Sequence, residues 1–126
     1  MINSFGAANS IFQQQRQGLI NERYKDIYAH EQAHKTAAGS LGGPIVIERD
    51  SYGIPVGGHV DIKMPVLDKE NPDKTIKHAD TVIKSAMAPS DPSGQDYKVA
   101  AEAKHIKAEA IAEKNKTSGH KLDLFA

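Results

Sequence analysis

An α+β fold is predicted for this 126-residue chain by three features. Leu19 to Ala38 is rich in good helix formers and holds neither Pro nor Gly, so it reads as one long helix. Ile45-Val46-Ile47 and Val60-Asp61-Ile62 flank turn residues, the signature of a β-hairpin. Downstream, Asn71-Pro72-Asp73 and Ser93-Gly94-Gln95-Asp96 are helix starts, each followed by apolar residues at helical spacing. The expected unit is one small domain over residues 18–116. A motif helix packs beside the hairpin, two further C-terminal helices complete the core, and polar tails lie at either end.

Residues 1–17 are polar apart from isolated Ile2, Phe5, Ile11 and Phe12, which predicts a mobile tail. A sharper reading docks that tail across a groove through Phe5 or Phe12. In the first helix, Leu19, Ile20, Tyr24, Ile27, Tyr28 and Ala37 give an incomplete apolar stripe, and Gly39 supplies a C-terminal stop. Ile45–Arg49 and Ile54–Met64 are the expected strands, with Asp50-Ser51-Tyr52-Gly53 as the turn. Pro55 and Gly57-Gly58 mark a bulged or edge section. Alternation puts Val60 and Ile62 on one face and His59 and Asp61 on the other.

A helix from Pro72 to about Met87 is expected to turn Ile76, Ala79, Val82, Ile83 and Ala86 inward. Pro89 and Pro92 break it. The last helix runs from about Gly94 to Asn115 on a thin stripe of Val99, Ala103, Ile106, Ala110 and Ala112. Thr117-Ser118-Gly119-His120 should end it. Residues 117–126 then form a tail carrying Leu122, Leu124 and Phe125, a second candidate to cover the site.

Composition narrows the chemistry. Lys+Arg and Asp+Glu number 16 each, so the formal net charge is zero and no nucleic-acid or membrane-surface partner is indicated. Hydrophobic residues make up 39%, which leaves part of the chain unpacked. There is no Cys, so any metal must be held by His and carboxylate; six His are present. No apolar run suits a signal or a membrane span. The cytoplasm is the default compartment, with export lacking a cleaved signal as the alternative. Oligomeric state leaves no mark in the sequence.

The central motif is His30-Glu31-Gln32-Ala33-His34. In a helix, residues i and i+4 share a face, so His30 and His34 can direct two imidazoles at one ion. Glu31 projects about 100° away, near enough to hold a water without being a ligand. That is zinc-hydrolase chemistry: two His on Zn2+ and a Glu as general base. The competing reading is a pair of solvated histidines on an ordinary amphipathic helix.

A catalytic zinc needs a third protein ligand. Ala37 and Ser40 stand where the metzincin continuation needs Gly and His, so that layout is absent. His59 is the first candidate. Two glycines before it allow close approach to the motif helix, and its strand face is free of the packing duty of Val60 and Ile62. Glu48, Asp61, His78 and Asp80 are the alternatives. Tyr52 and Tyr97 are read as surface or packing residues before any oxyanion role, Asp96 as a helix cap, and His105 and His120 as solvated.

Ala29–His34, Val56–Val60, Ala86–Asp96 and Val99–Ala103 occur in an order that resembles the SprA-related family of bacterial zinc metallopeptidases. The resemblance covers about residues 22–113. It implies that His30 and His34 bind zinc and that Glu31 is catalytic. The family pattern has an acidic residue after its Gly-Gly pair, where this chain has His59. The resemblance does not supply the third ligand or a substrate sequence. The expected function is zinc-dependent hydrolysis of a peptide or protein substrate, with the zinc-bound water activated by Glu31. Two competing functions are a non-catalytic zinc-binding domain related to peptidases and a metal-free helical interaction protein.

Overall fold

Helix α1 (Asn3–Ala38) forms the spine of the chain. In the computed structural model, the backbone is described for residues 3–125 and side chains for residues 9–116. After α1 come a single 3-10 turn (Gly39–Leu41), strands β1 (Gly42–Arg49) and β2 (Pro55–Ile62), and helices α2 (Pro72–Ala86) and α3 (Gly94–Phe125). Three helices and one antiparallel hairpin make the predicted α+β fold.

Both long helices overrun their expected ends. α1 begins at Asn3, so the segment expected as a tail is its first half. No Pro interrupts it, and once a helix is nucleated each added residue costs little. Residues 9–19 are all exposed, Phe12 among them at 69%. Phe12 thus fills no groove among the described residues; Phe5 lies outside the described side chains. α3 likewise runs through Gly119 to Phe125. A lone helical Gly costs about 1 kcal/mol relative to Ala, too little to end a helix when no Pro follows. The side chains of His120, Leu122, Leu124 and Phe125 lie outside the described residues.

The packed half of α1 differs from the predicted stripe. Its buried positions are Glu31, His34 and Ala38, with Ile27 half-buried one turn before them. The spacing 27, 31, 34, 38 follows one helix face. Leu19, Tyr24 and Tyr28 are exposed. Tyr24 and Tyr28 stack on each other at 5.7 Å, and the Arg49 guanidinium covers Tyr24. The motif therefore sits in the buried seam of α1. Gly39 ends the helix with φ +58°, the left-handed conformation glycine adopts freely.

The hairpin pairs Ile45 with Val60, Val46 with His59 and Ile47 with Gly58. Irregularities lie between Gly42 and Ile45 and between Glu48 and Arg49. Asp50 organises the turn: its Oδ1 accepts from the backbone N–H groups of Tyr52 (2.8 Å) and Ile54 (3.0 Å). The face carrying Ile45, Ile47, Gly58 and Val60 lies on α1. Gly58 marks the closest approach. A Cβ there would stand 2.7 Å from Ile27 Cγ2, 3.0 Å from the Val46 carbonyl oxygen and 3.1 Å from Glu31 Cγ. Gly57, one residue earlier, would meet only Glu48 Oε2 at 3.5 Å.

Gly58→Ala should therefore cost about 1–3 kcal/mol by overpacking the hairpin against α1. Gly57→Ala should cost clearly less. Urea denaturation of both variants checks this, and equal losses would refute the close-approach account.

Asn71 caps α2, with Pro72 at its start, as predicted. α2 buries Thr75, Ala79, Val82, Ser85 and Ala86, and α3 buries Ala100, Ala103 and Ala110; α2 packs on α3 and, through Ser85, on α1. Small side chains let the α2 and α3 backbones approach closely. Ile76, Ile83, Val99 and Ile106 are half-buried at the rim, and Ala112 is exposed rather than part of the stripe. Asp80–Lys107 (2.7 Å) and Asp73–Lys114 (2.8 Å) tie the outer faces together. Among the described residues, no helix is long and apolar enough to cross a membrane.

Candidate metal centre

His30 and His34 lie where α1, the hairpin, α2 and the start of α3 meet. Their rings meet edge-to-face, with centroids 4.8 Å apart and Nε2 atoms 3.2 Å apart. One ligand atom from each of His30, Glu31 and His34 falls within 4.8 Å of the others. The helical spacing seen in the sequence accounts for this convergence.

Neighbouring elements hold both rings in place. His34 Nδ1 is 2.7 Å from the Ser85 carbonyl oxygen, which can only accept, so Nδ1 carries the proton. Ser85 Oγ in turn donates to the His34 carbonyl at 2.7 Å. This reciprocal pair clamps α1 to α2 at a fully buried point. His30 Nδ1 faces Asp91 Oδ1 at 3.1 Å. With the proton of neutral His30 on that nitrogen, both Nε2 atoms are bare lone pairs aimed inward.

Asp96 completes the arrangement. Its Oδ2 is 3.1 Å from His30 Nε2 and its Oδ1 is 3.1 Å from His34 Nε2. The same carboxylate caps α3, accepting from the Ser93 N–H at 2.8 Å, while Ser93 Oγ accepts from the Asp96 N–H at 3.1 Å. The predicted capping box is present, and it faces the histidines, which no local signal in the chain announces. No pattern could have supplied that: Asp96 lies 62 positions beyond His34 and reaches it only because α3 starts beside α1.

Both Nε2 atoms and the Asp96 carboxylate thus converge on one point, where positive charge is needed: a proton on His30 Nε2 serves the pairs it touches, and a cation serves all three groups at once. The 3.1–3.2 Å separations are close to the ~3.3 Å expected between neighbouring ligand atoms on a tetrahedral zinc with bonds near 2.0–2.1 Å. The donor set therefore fits Zn2+.

The surrounding carboxylates make the site attractive to positive charge, a proton included. Burial pushes the His30 pKa down, but the Asp91 hydrogen bond and the charges of Asp96, Glu31 and Asp91 outweigh it, and the net shift is upward. Asp91 is lowered in return, chiefly by its bond to His30. Glu31 is only 6% exposed, and burial raises its pKa against the opposing pull of His34 and His30.

Beside these groups lies a cavity of about 510 Å³, also bordered by Gly58–Ile62 of β2. His59 lines it but does not join the cluster. It lies on the hairpin face opposite the one packed on α1, and its Nδ1 donates to Glu48 Oε1 at 3.0 Å. The other third-ligand candidates are also placed elsewhere. Glu48 is engaged with His59, His78 donates through Nε2 to the Lys63 carbonyl at 2.7 Å, and Asp80 pairs with Lys107. Asp61 lines the cavity without entering the cluster. Tyr52 and Tyr97 are surface residues, and His105 pairs with Glu109 on the exposed face of α3.

The model of the SprA-related family matches residues 6–118 of the chain. No curated protein and no solved structure matches it.

Proposed function

The chain belongs to the SprA-related family, and we propose that it is a zinc-dependent hydrolase of peptide bonds. The observation that carries this reading is the inward convergence of His30 Nε2 and His34 Nε2, with Glu31 beside them on the cavity wall. When bound, zinc supplies Lewis acidity and lowers the pKa of a coordinated water toward neutrality.

The chain's own residues would do the rest. His30 and His34 would hold the ion through Nε2, oriented by Asp91 and the Ser85 carbonyl. Glu31 would take a proton from the attacking water and deliver it to the leaving amine. Burial makes its carboxylate more basic than an exposed one, which suits that task near neutral pH.

A peptide substrate is supported by the strand at the cavity. Five consecutive residues of β2, Gly58 to Ile62, border the opening, so the strand presents its edge there and not a single face. β2 pairs only with β1 among the described residues. An extended chain could hydrogen-bond to that edge and lay a carbonyl beside Glu31.

Metal-free protein prepared without a His tag should cleave a general peptide or casein reporter only after Zn2+ is added. A chelator should abolish cleavage and renewed zinc should restore it. Zinc binding without cleavage across a broad peptide library would remove the hydrolase and leave a metal-binding domain. Absence of zinc binding would remove both.

A further inference from the structure

We infer that Asp96 is the third protein ligand of the metal site, and that metal binding and the seating of the α3 N-terminus are one event. This rests on the reading that His30 and His34 hold zinc.

The carboxylate spans both histidines, one oxygen 3.1 Å from each Nε2. The Asp96 side chain is 15% exposed, so it is drawn in from water by its surroundings. Its partners are the two Nε2 atoms: His34 carries its proton on Nδ1, toward the Ser85 carbonyl, and His30 has a second carboxylate, Asp91, at its Nδ1. The carboxylate has no proton to meet at His34 Nε2, and a proton on His30 Nε2 would satisfy only one of its two oxygens. It gains much if all three surround a cation. Two His and one carboxylate also leave an open coordination position, as a catalytic site requires.

The link to α3 follows from the other bond of the same side chain. Asp96 Oδ2 accepts from the Ser93 N–H, and the Ala88–Ser93 connector carries Asp91, the partner of His30. Pulling Asp96 onto an ion therefore anchors the first turn of α3 and its connector against α1. His59, on the hairpin, has no such connection.

Asp96→Asn is the informative substitution. An amide oxygen can still accept from Ser93, so the cap survives, while the anionic ligand is lost. The variant should bind Zn2+ more than about 100-fold more weakly than wild type in chelator competition, beyond the usual cost of losing an outer-sphere partner. Ser93→Ala, which removes the serine half of the capping box and spares the carboxylate, should shift affinity by less than about tenfold, and so should His59→Ala. In wild type, zinc should slow amide hydrogen exchange across Gln95–Val99; in Asp96→Asn it should not. The visible absorption of bound Co2+ should change in Asp96→Asn and remain that of wild type in His59→Ala.

Zinc affinity and Co2+ absorption in Asp96→Asn equal to wild type would overturn the inference and leave the His30–His34 site standing. A large loss confined to His59→Ala would overturn it in favour of the hairpin ligand. Wild-type protein that binds neither Zn2+ nor Co2+ would overturn the underlying reading as well.

Discussion

Glu31→Gln is expected to lower peptide cleavage by about 10²–10⁴-fold, the usual contribution of a general base, or about 3–5 kcal/mol of barrier. Zinc content should stay at the wild-type level, because Glu31 is proposed as the base and the histidines as ligands. The substitution preserves shape beside Gly58 and Ile27 and removes only the ionisable group.

Stability should respond in the opposite sense. Burial raises the Glu31 pKa above its ordinary value of 4.5, so the folded state resists ionising this carboxylate. That cost is absent below the unfolded-state pKa and develops as pH rises through the folded-state one. Metal-free Glu31→Gln should therefore melt above metal-free wild type at neutral pH, with the gap closing as pH falls to about 4. Steady-state kinetics, metal analysis and melting curves at two pH values decide these points together. If Glu31→Gln loses zinc as completely as a histidine variant, the division of roles is wrong.

His34→Ala carries the second large effect. Zinc affinity should fall by more than about 100-fold, since a ligand is lost and not merely an outer partner. The variant also orphans the Ser85 carbonyl that His34 Nδ1 holds at 2.7 Å, so it should lose about 1–3 kcal/mol even without metal. The two effects separate in the melting temperature. Saturating zinc at about 1,000 times its dissociation constant should stabilise wild type by about 4 kcal/mol, and a chelator should cancel that gain. In His34→Ala at the same zinc concentration, the gain should fall to about 1.4 kcal/mol or less. A wild-type melting temperature indifferent to chelator would count against a metal that joins α1 to the rest of the fold.

Much of the architecture was legible because it depends on local rules. The Asn71 cap, the Gly39 stop, the Asp50 turn and the capping box at Ser93–Asp96 are each specified within four residues. The pairing of His30 with His34 is of the same kind. It follows from 3.6 residues per turn and needs no knowledge of the remaining chain. The outer ends of α1 and α3 were misjudged for the same reason in reverse. Polar composition suggests tails, and nothing local marks where a helix already anchored on a domain will stop.

What the sequence alone determined, then, is the hairpin, the helix starts and a two-histidine motif with Glu31 beside it. Tertiary structure decided which faces are buried. It placed Glu31 and His34 in the seam of α1, where a hydropathy stripe would seek Leu19 or Tyr28. It turned the Val60 face of the hairpin onto α1 through Gly58, which carried His59 to the other side. It also brought Asp96, a helix cap by every local criterion, to 3.1 Å from both histidines. Local propensities act over a few residues, whereas the partners of a buried polar atom are set by how separate elements pack, and that is not written in any one segment.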